Sequence, residues 1–256
     1  MKMVIHAVVV MLIYTVTVGQ ANAREFDAVL HWSKRLVLTT LSDGVVQTIL
    51  VNVGDRVKQG ELMLQLDPAV FDKRVKQSAV HLQSASEAFK EATRELERAQ
   101  ELYDRTVLSD HDLQVAKNNH IKARSDLENA RLQHTQAKYD FKYSRIIAPF
   151  NALVLERHVQ PGQVIKSELQ PLPMLTVADA DRMRARILID EEALSSVSMK
   201  QSANISVGSD TFKGEIVSIG FEPVNNKSGS RSYPVEIEFA VGDRLLRAGQ
   251  SARVDL

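Results

Sequence analysis

The chain has 256 residues, room for more than one hydrophobic core. Its 32 Lys and Arg balance 32 Asp and Glu, so no net charge draws it to nucleic acid, and no nucleic-acid partner is expected. It has no cysteine, which excludes disulfides, thiolate metal sites, a cysteine nucleophile and an anchor on a lipidated cysteine.

Lys2, an apolar run from Val4 to Val18 and the small-x-small step Ala21-Asn22-Ala23 predict a cleavable signal peptide over residues 1–23. The run is about 15 residues, short of the roughly 20 that span a bilayer comfortably. An uncleaved anchor is the alternative. In either case the body of the chain is expected outside the cytoplasm.

Short β-like runs follow at Phe26–Leu30 and Leu36–Thr40. Val45 to Val53 is rich in β-branched residues, and Gly44, Gly54 and Gly60 punctuate it, as strands joined by tight turns would require. Glu61 to Leu66 alternates into a further strand, closed by Asp67-Pro68.

From Ala69 to Tyr143 proline and glycine vanish, and apolar or small residues recur at alternating steps of three and four. On the first arm they include Leu82, Ala85, Phe89, Ala92, Leu96, Ala99 and Tyr103; on the second, Leu113, Ala116, His120, Ala123, Leu127, Ala130, His134 and Ala137. Such sustained heptads predict an antiparallel coiled-coil hairpin of about 35 residues per arm, about 50 Å long. Ser109-x-x-Asp112 reads as a capping box restarting the helix after a break at Thr106–Ser109. Folding there pairs Leu96 with His120, Phe89 with Leu127 and Leu82 with His134, and stacks Ala92 on Ala123 and Ala99 on Ala116, large layers alternating with small. The predicted hairpin core is Phe89, Ala92, Leu96, Ala99, Leu113, Ala116, Ala123 and Leu127. His120 and His134 each face a leucine and read as seam residues, since a metal site needs several converging ligands.

Ser144 to Asp179 returns to β texture and repeats the earlier block: Val46, Val53 and Gly54 fall on Val154, Pro161 and Gly162 at one constant offset. One small β unit has therefore been split by the helical insertion. Beyond Asp181, strands are predicted at Arg184–Ile189, Ala203–Val207, Phe212–Ile219, Pro234–Ala240 and Ala252–Leu256, with a short helix at Glu191–Val197 and a polar loop at Asn225–Ser232. Several short strands with one helix suit a small β-barrel.

This arrangement resembles the periplasmic adaptor, or membrane fusion protein, family over residues 36–256. Val53-Gly54-Asp55-Arg56-Val57-Lys58-Gln59-Gly60-Glu61-Leu62 resembles the first half of that family's lipoyl-like domain. Ile146-Ile147-Ala148-Pro149-Phe150 with Val159-Gln160-Pro161-Gly162-Gln163-Val164 resembles the second. Tyr233 to Ile237 and Leu246 to Val254 resemble its closing barrel strands. The resemblance implies an α+β multidomain fold: a signal peptide (1–23), a split lipoyl/biotinyl-like β domain (36–67 with 144–179), the α-helical hairpin (68–143) and a β-barrel (24–35 with 180–256). Adaptors that dock on channels of the tolerance-to-colicin type carry an Arg, a Leu four residues on and a Ser eleven residues after the Arg; Arg98, Leu102 and Ser109 hold those spacings. Arg98 would offer a forked donor set, Leu102 an apolar knob, and Ser109 a cap that faces outward.

The implied function is that of a non-catalytic periplasmic adaptor subunit associated with the inner membrane. It would link an inner-membrane transporter, of the resistance-nodulation-division type first and the ABC type second, to an outer-membrane channel protein, as a homo-oligomer forming a hexameric ring and using no cofactor. Asn151-Ala152 stands where the family often has Asp-Gly, Glu168 to Pro173 adds a proline-bearing stretch, and both ends are short, so a compact adaptor without a membrane-proximal domain is expected. A biotin or lipoate carrier is disfavoured because its modified Lys would sit where the helices enter. The remaining alternative is an envelope structural or sensory coiled-coil protein without a pump. The acidic run Asp190-Glu191-Glu192 reads as a helix start, and dispersed methionines give no support to metal efflux.

Overall fold

The computed structural model describes residues 24–166, 172–225 and 231–256. The predicted signal peptide lies outside these residues, as does most of the Glu168–Pro173 stretch. The described chain forms two compact units, the larger comprising residues 30–184 with 238–249 and the smaller residues 24–29, 185–237 and 250–256.

In chain order the elements up to the end of the β repeat are β1 (Glu25–Trp32), β2 (Arg35–Leu38), β3 (Gly44–Ile49), β4 (Arg56–Val57), β5 (Leu62–Leu66), α1 (Pro68–Asp104), α2 (Asp110–Tyr143), β6 (Arg145–Ile147), β7 (Ala152–Arg157), β8 (Val164–Ile165) and β9 (Leu175–Asp179). The larger unit holds two four-stranded sheets, ordered β2-β9-β7-β4 and β6-β5-β3-β8. Between them lies a core in which Met63, Leu64, Leu66, Met174, Leu175 and Val177 are fully buried.

The repeat in the sequence appears here as paired hydrogen bonds. Gly54 N–H donates to Val154 O (2.9 Å) and Gly162 N–H to Val46 O (2.7 Å); Val154 N–H donates to Asp55 O (3.0 Å) and Val46 N–H to Gln163 O (2.9 Å). Side chains repeat too: Asn52 N–H meets Asp55 Oδ2 at 2.7 Å, and Gln160 N–H meets Gln163 Oε1 at 3.1 Å. Each half thus supplies a turn that closes on the strand of the other. Gly54 and Gly162 have φ of 96° and 85°, a region that L side chains avoid, so both turns need glycine.

The two helices enter from this body. α1 starts on Pro68, whose missing N–H costs nothing in a first turn, and Asp67 accepts the Ala69 N–H at 3.0 Å. Phe71, 2% exposed, anchors that first turn in the sheet core. At the other root hydroxyls meet the last carbonyls of α2: Thr40 Oγ1 donates to Tyr143 O (2.7 Å), and Ser42 Oγ donates to Asp140 O (3.0 Å), which also accepts the Ser144 N–H (2.9 Å). This diversion ends β2 at Leu38, where the sequence predicted strand to Thr40. α1 and α2 have 37 and 34 residues, about 55 and 50 Å of helix, and pack on each other.

The remaining elements are β10 (Arg182–Asp190), α3 (Glu191–Leu194), β11 (Ser202–Val207), β12 (Asp210–Ile219), β13 (Val224–Asn225), β14 (Arg231–Ala240) and β15 (Ser251–Asp255). Their sheet runs β10-β1-β15-β11-β12-β14-β13, and β10 also pairs with β14, so six strands close a barrel with β13 as an added edge. Met183, Ala185, Ile187 and Ile189 alternate inward along β10, joined by Ile205, Ile216, Val235 and Val254.

Two sequence expectations need correction. The helix predicted over Glu191–Val197 ends at Leu194, because the Ser195 and Ser196 hydroxyls bond back to Glu192 O and Ala193 O and compete with its continuation. Asp190 does not cap that helix with its side chain; it accepts the Ser232 hydroxyl at 2.8 Å. The predicted loop Asn225–Ser232 is strand at both ends, Asn225 pairing with Arg231 and Val224 with Ser232, and residues 226–230 lie outside the described chain.

Candidate docking surface at the tip of the helix pair

α1 ends in a Schellman arrangement. Thr106 N–H donates to Tyr103 O (2.8 Å) and Val107 N–H to Leu102 O (2.9 Å), with Thr106 at φ 59°. Val107, at the position that usually makes the hydrophobic contact of this motif, is 71% exposed. After two more residues Ser109 caps α2: its Oγ accepts the Asp112 N–H at 3.2 Å and donates to Asp112 Oδ2 at 2.6 Å. Asp110 and Asp112 in the first turn suit the positive end of the helix dipole. Asp110 also accepts the Tyr103 hydroxyl at 2.6 Å, tying the two arms together and raising the Tyr103 pKa above 10.0 through that bond first and the aspartate charge second.

Arg98 is exposed and paired with Glu95 one turn back, Nη1 to Oε1 at 2.6 Å. Leu102, half-buried, stands one turn beyond it. Arg98 and Leu102 line one groove with Ala92, Ala99, Leu108 and Val115, its floor apolar and its rim charged by Glu91, Glu95 and Asp112. Ser109 does not line this groove; it is exposed at the turn above it. The chain therefore brings Arg98 and Leu102 together on one face and sets Ser109 at its end.

Of the expected core residues, Leu113 and Leu127 are 6% and 4% exposed, while Phe89, Ala92, Leu96, Ala99, Ala116 and Ala123 are half-buried. The histidines reach beyond the leucines expected opposite them. The His120 ring lies 5.1 Å from that of Phe89, and His134 Nδ1 is 3.0 Å from Ser78 Oγ. Both lie within the seam, and among the described residues no three His, Asp or Glu side chains converge as a metal site needs.

Two features escaped the sequence. The left-handed Thr106 has no marker, because glycine is the residue that signals such a turn. The Arg98–Glu95 pair could have been found from its three-residue spacing.

A family model described as a CzcB-like, barrel-sandwich hybrid domain matches residues 35–179. Macrolide export protein MacA of Yersinia pestis is 27% identical over 230 residues, 83% of this chain and 62% of that protein. This chain spans about 60% of the length of the curated relatives it matches. Among solved structures, membrane fusion protein Spr0693 from Streptococcus pneumoniae R6 superposes with a TM-score of 0.68 at 15% identity, over 91% of this chain and 97% of that one. A MacA-MexA chimera containing the Pseudomonas aeruginosa MexA alpha-hairpin domain gives 0.62 at 19% identity, over 91% and 80%. At these identities the two structures share a fold with this chain.

Proposed function

Because the chain belongs to the CzcB-like barrel-sandwich hybrid family of membrane fusion proteins, we propose that it is the periplasmic adaptor subunit of a tripartite efflux pump. In this reading it joins an inner-membrane transporter to an outer-membrane channel, works as a multi-copy ring and catalyses nothing. Residues 1–23 are the export signal, 36–67 with 144–179 the lipoyl-like body, 68–143 a coiled-coil hairpin, and 24–35 with 180–256 the barrel.

The observation that supports this most is the tip. Two helices of more than 30 residues leave a β body and end in an apolar-floored groove that holds Arg98 and Leu102, with Ser109 at the turn above it. A surface at the far end of so long an insertion serves a partner at a distance. Arg98 can leave Glu95 for a partner carboxylate or carbonyl at little cost, since an exposed ion pair contributes about 1 kcal/mol or less.

The test is Arg98→Asp in cells that depend on the pump. Reversing a hot-spot charge costs roughly 2 kcal/mol or more of binding. Export should be lost while expression and helicity stay normal. Unchanged export would reduce the tip to scaffold, and a deletion that disturbs the envelope without altering drug tolerance would favour the structural or sensory reading.

A further inference from the structure

A cleft of about 290 Å³ opens where β1 passes into β2 and β9 into β10. The residues that line it all belong to the larger unit. Its acids are Asp179, Asp181 and Glu238, and its cations Lys34 and Arg182. Arg182 is taken by Glu238 at 2.9 Å, which leaves two aspartates to one lysine. Asp179 is 7% exposed. Its Oδ1 accepts the Asp181 and Arg182 N–H groups at 2.9 and 3.1 Å. Among the described residues the sole partner of its Oδ2 is Lys34 Nζ at 3.7 Å, beyond hydrogen-bond distance. A carboxylate buried on its other sides thus turns one oxygen to the cleft with no donor upon it.

The Lys34 ammonium also stands 5.4 Å from the centre of the Phe150 ring, within cation–π range. A carboxylate on one side and an aromatic face on another are the groups that recognise an organic cation. Lys34 fills this place poorly. Asp179 N–H donates to Lys34 O at 3.0 Å, which fixes the lysine backbone beside the acid. Its four-carbon stem must fold back to bring the ammonium near, and the side chain stays 62% exposed. Asp181 makes no ion pair among the described residues; its Oδ2 accepts the Asn151 side-chain N–H at 2.8 Å. An aspartate at 151 would set like charges against each other, whereas the amide orders Asp181 and leaves its other oxygen for a ligand.

We propose that this cleft is a binding site for a small alkylammonium compound. The ligand's ammonium takes the place of the Lys34 ammonium between the Phe150 ring and Asp179 Oδ2, with Asp181 as the second counter-charge. The volume lies at the lower edge of small-molecule pockets, roughly 300–1,000 Å³, so the compound is smaller than a typical drug. Among the described residues no three acids or histidines converge, which disfavours a divalent metal as the occupant. Lys34 gives way at little cost, because an exposed ion pair is weak and its ammonium regains water on leaving. It acts as a tethered competitor and sets the concentration at which the free amine enters. The site goes beyond the adaptor reading and does not rest on it.

The test titrates the full chain with n-butylammonium, the chemical image of the Lys34 side chain, by calorimetry at fixed ionic strength. The neutral control is 1-butanol. The cation should bind saturably and the alcohol should not. Lys34→Ala removes the competitor and should tighten binding roughly tenfold. Asp179→Asn keeps the oxygen that accepts from Asp181 and Arg182, and should weaken binding roughly tenfold or more. Phe150→Leu keeps an apolar side chain, loses the ring face and should weaken binding about threefold. It leaves every charge in place, so the test stays decisive if Asp179→Asn fails to fold. Equal binding of 1-butanol would overturn a site for a cation. No saturation in either the unaltered chain or Lys34→Ala would overturn the site itself. Weaker binding in Lys34→Ala would overturn the role of Lys34 as a competitor.

Discussion

Thr106 sits in the left-handed region with a β-branched side chain, a conformation that costs an L-residue about 1–2 kcal/mol. It persists because Thr106 and Val107 N–H groups close the end of α1 and the restart at Ser109 fixes the direction of α2. The Thr106 hydroxyl bonds locally, to Arg105 O at 2.7 Å. Thr106→Gly keeps the turn and removes the steric cost, offset in part by the greater freedom of glycine in the unfolded chain. It should stabilise the protein by about 1 kcal/mol, read as a higher denaturant midpoint at unchanged slope. A lower midpoint would mean that the hydroxyl or the β-branch contributes to the turn more than the strain costs.

Among the strands, β10 and β14 are held together by a partly buried carboxylate. Glu238 on β14 accepts from Arg182 (2.9 Å) and Arg184 (3.3 Å) on β10 and from Ser33 (3.2 Å). Burial pushes its pKa up, but the bonds from Arg182, Arg184 and Ser33 outweigh that and hold it below the ordinary 4.5. A depressed carboxylate adds stability above its unfolded pKa and loses it as pH falls through the folded one. The chain should therefore lose stability as pH drops below about 4.5, and Glu238→Gln should flatten that slope in acid denaturation followed by circular dichroism. An identical slope in the variant would show that other carboxylates govern it. This cluster was not legible in the sequence, because Arg182, Arg184, Ser33 and Glu238 meet only when the strands register. The helices were legible, since their period is local and the absence of Gly and Pro over 69–143 removes any other reading. So was the repeat of Val46 in Val154, because each half folds with its own turn glycine. α3 was overread: Glu191 and Glu192 signal a start, but the stop is set by serine hydroxyls whose choice between helix and back-bond depends on the surrounding strands.

At the scale of the whole chain, the proposed adaptor divides its labour among parts. The β body roots both helices through Phe71, Thr40 and Ser42, so a load on the tip is transmitted to sheet core and backbone carbonyls. The tip offers an apolar floor and a cation that can be re-paired. In the proposed multi-copy assembly that contact is weak taken singly, and several copies engaging together would raise the effective concentration of the rest. The proposed contact is between the tip and a channel of the outer membrane. Its most direct measurement is photocrosslinking in intact cells from a photoreactive residue replacing Leu102. An adduct should form with a channel protein that fractionates with the outer membrane, and it should disappear when Arg98→Asp is added. Adducts formed solely with other copies of this chain, or an adduct indifferent to Arg98→Asp, would contradict it.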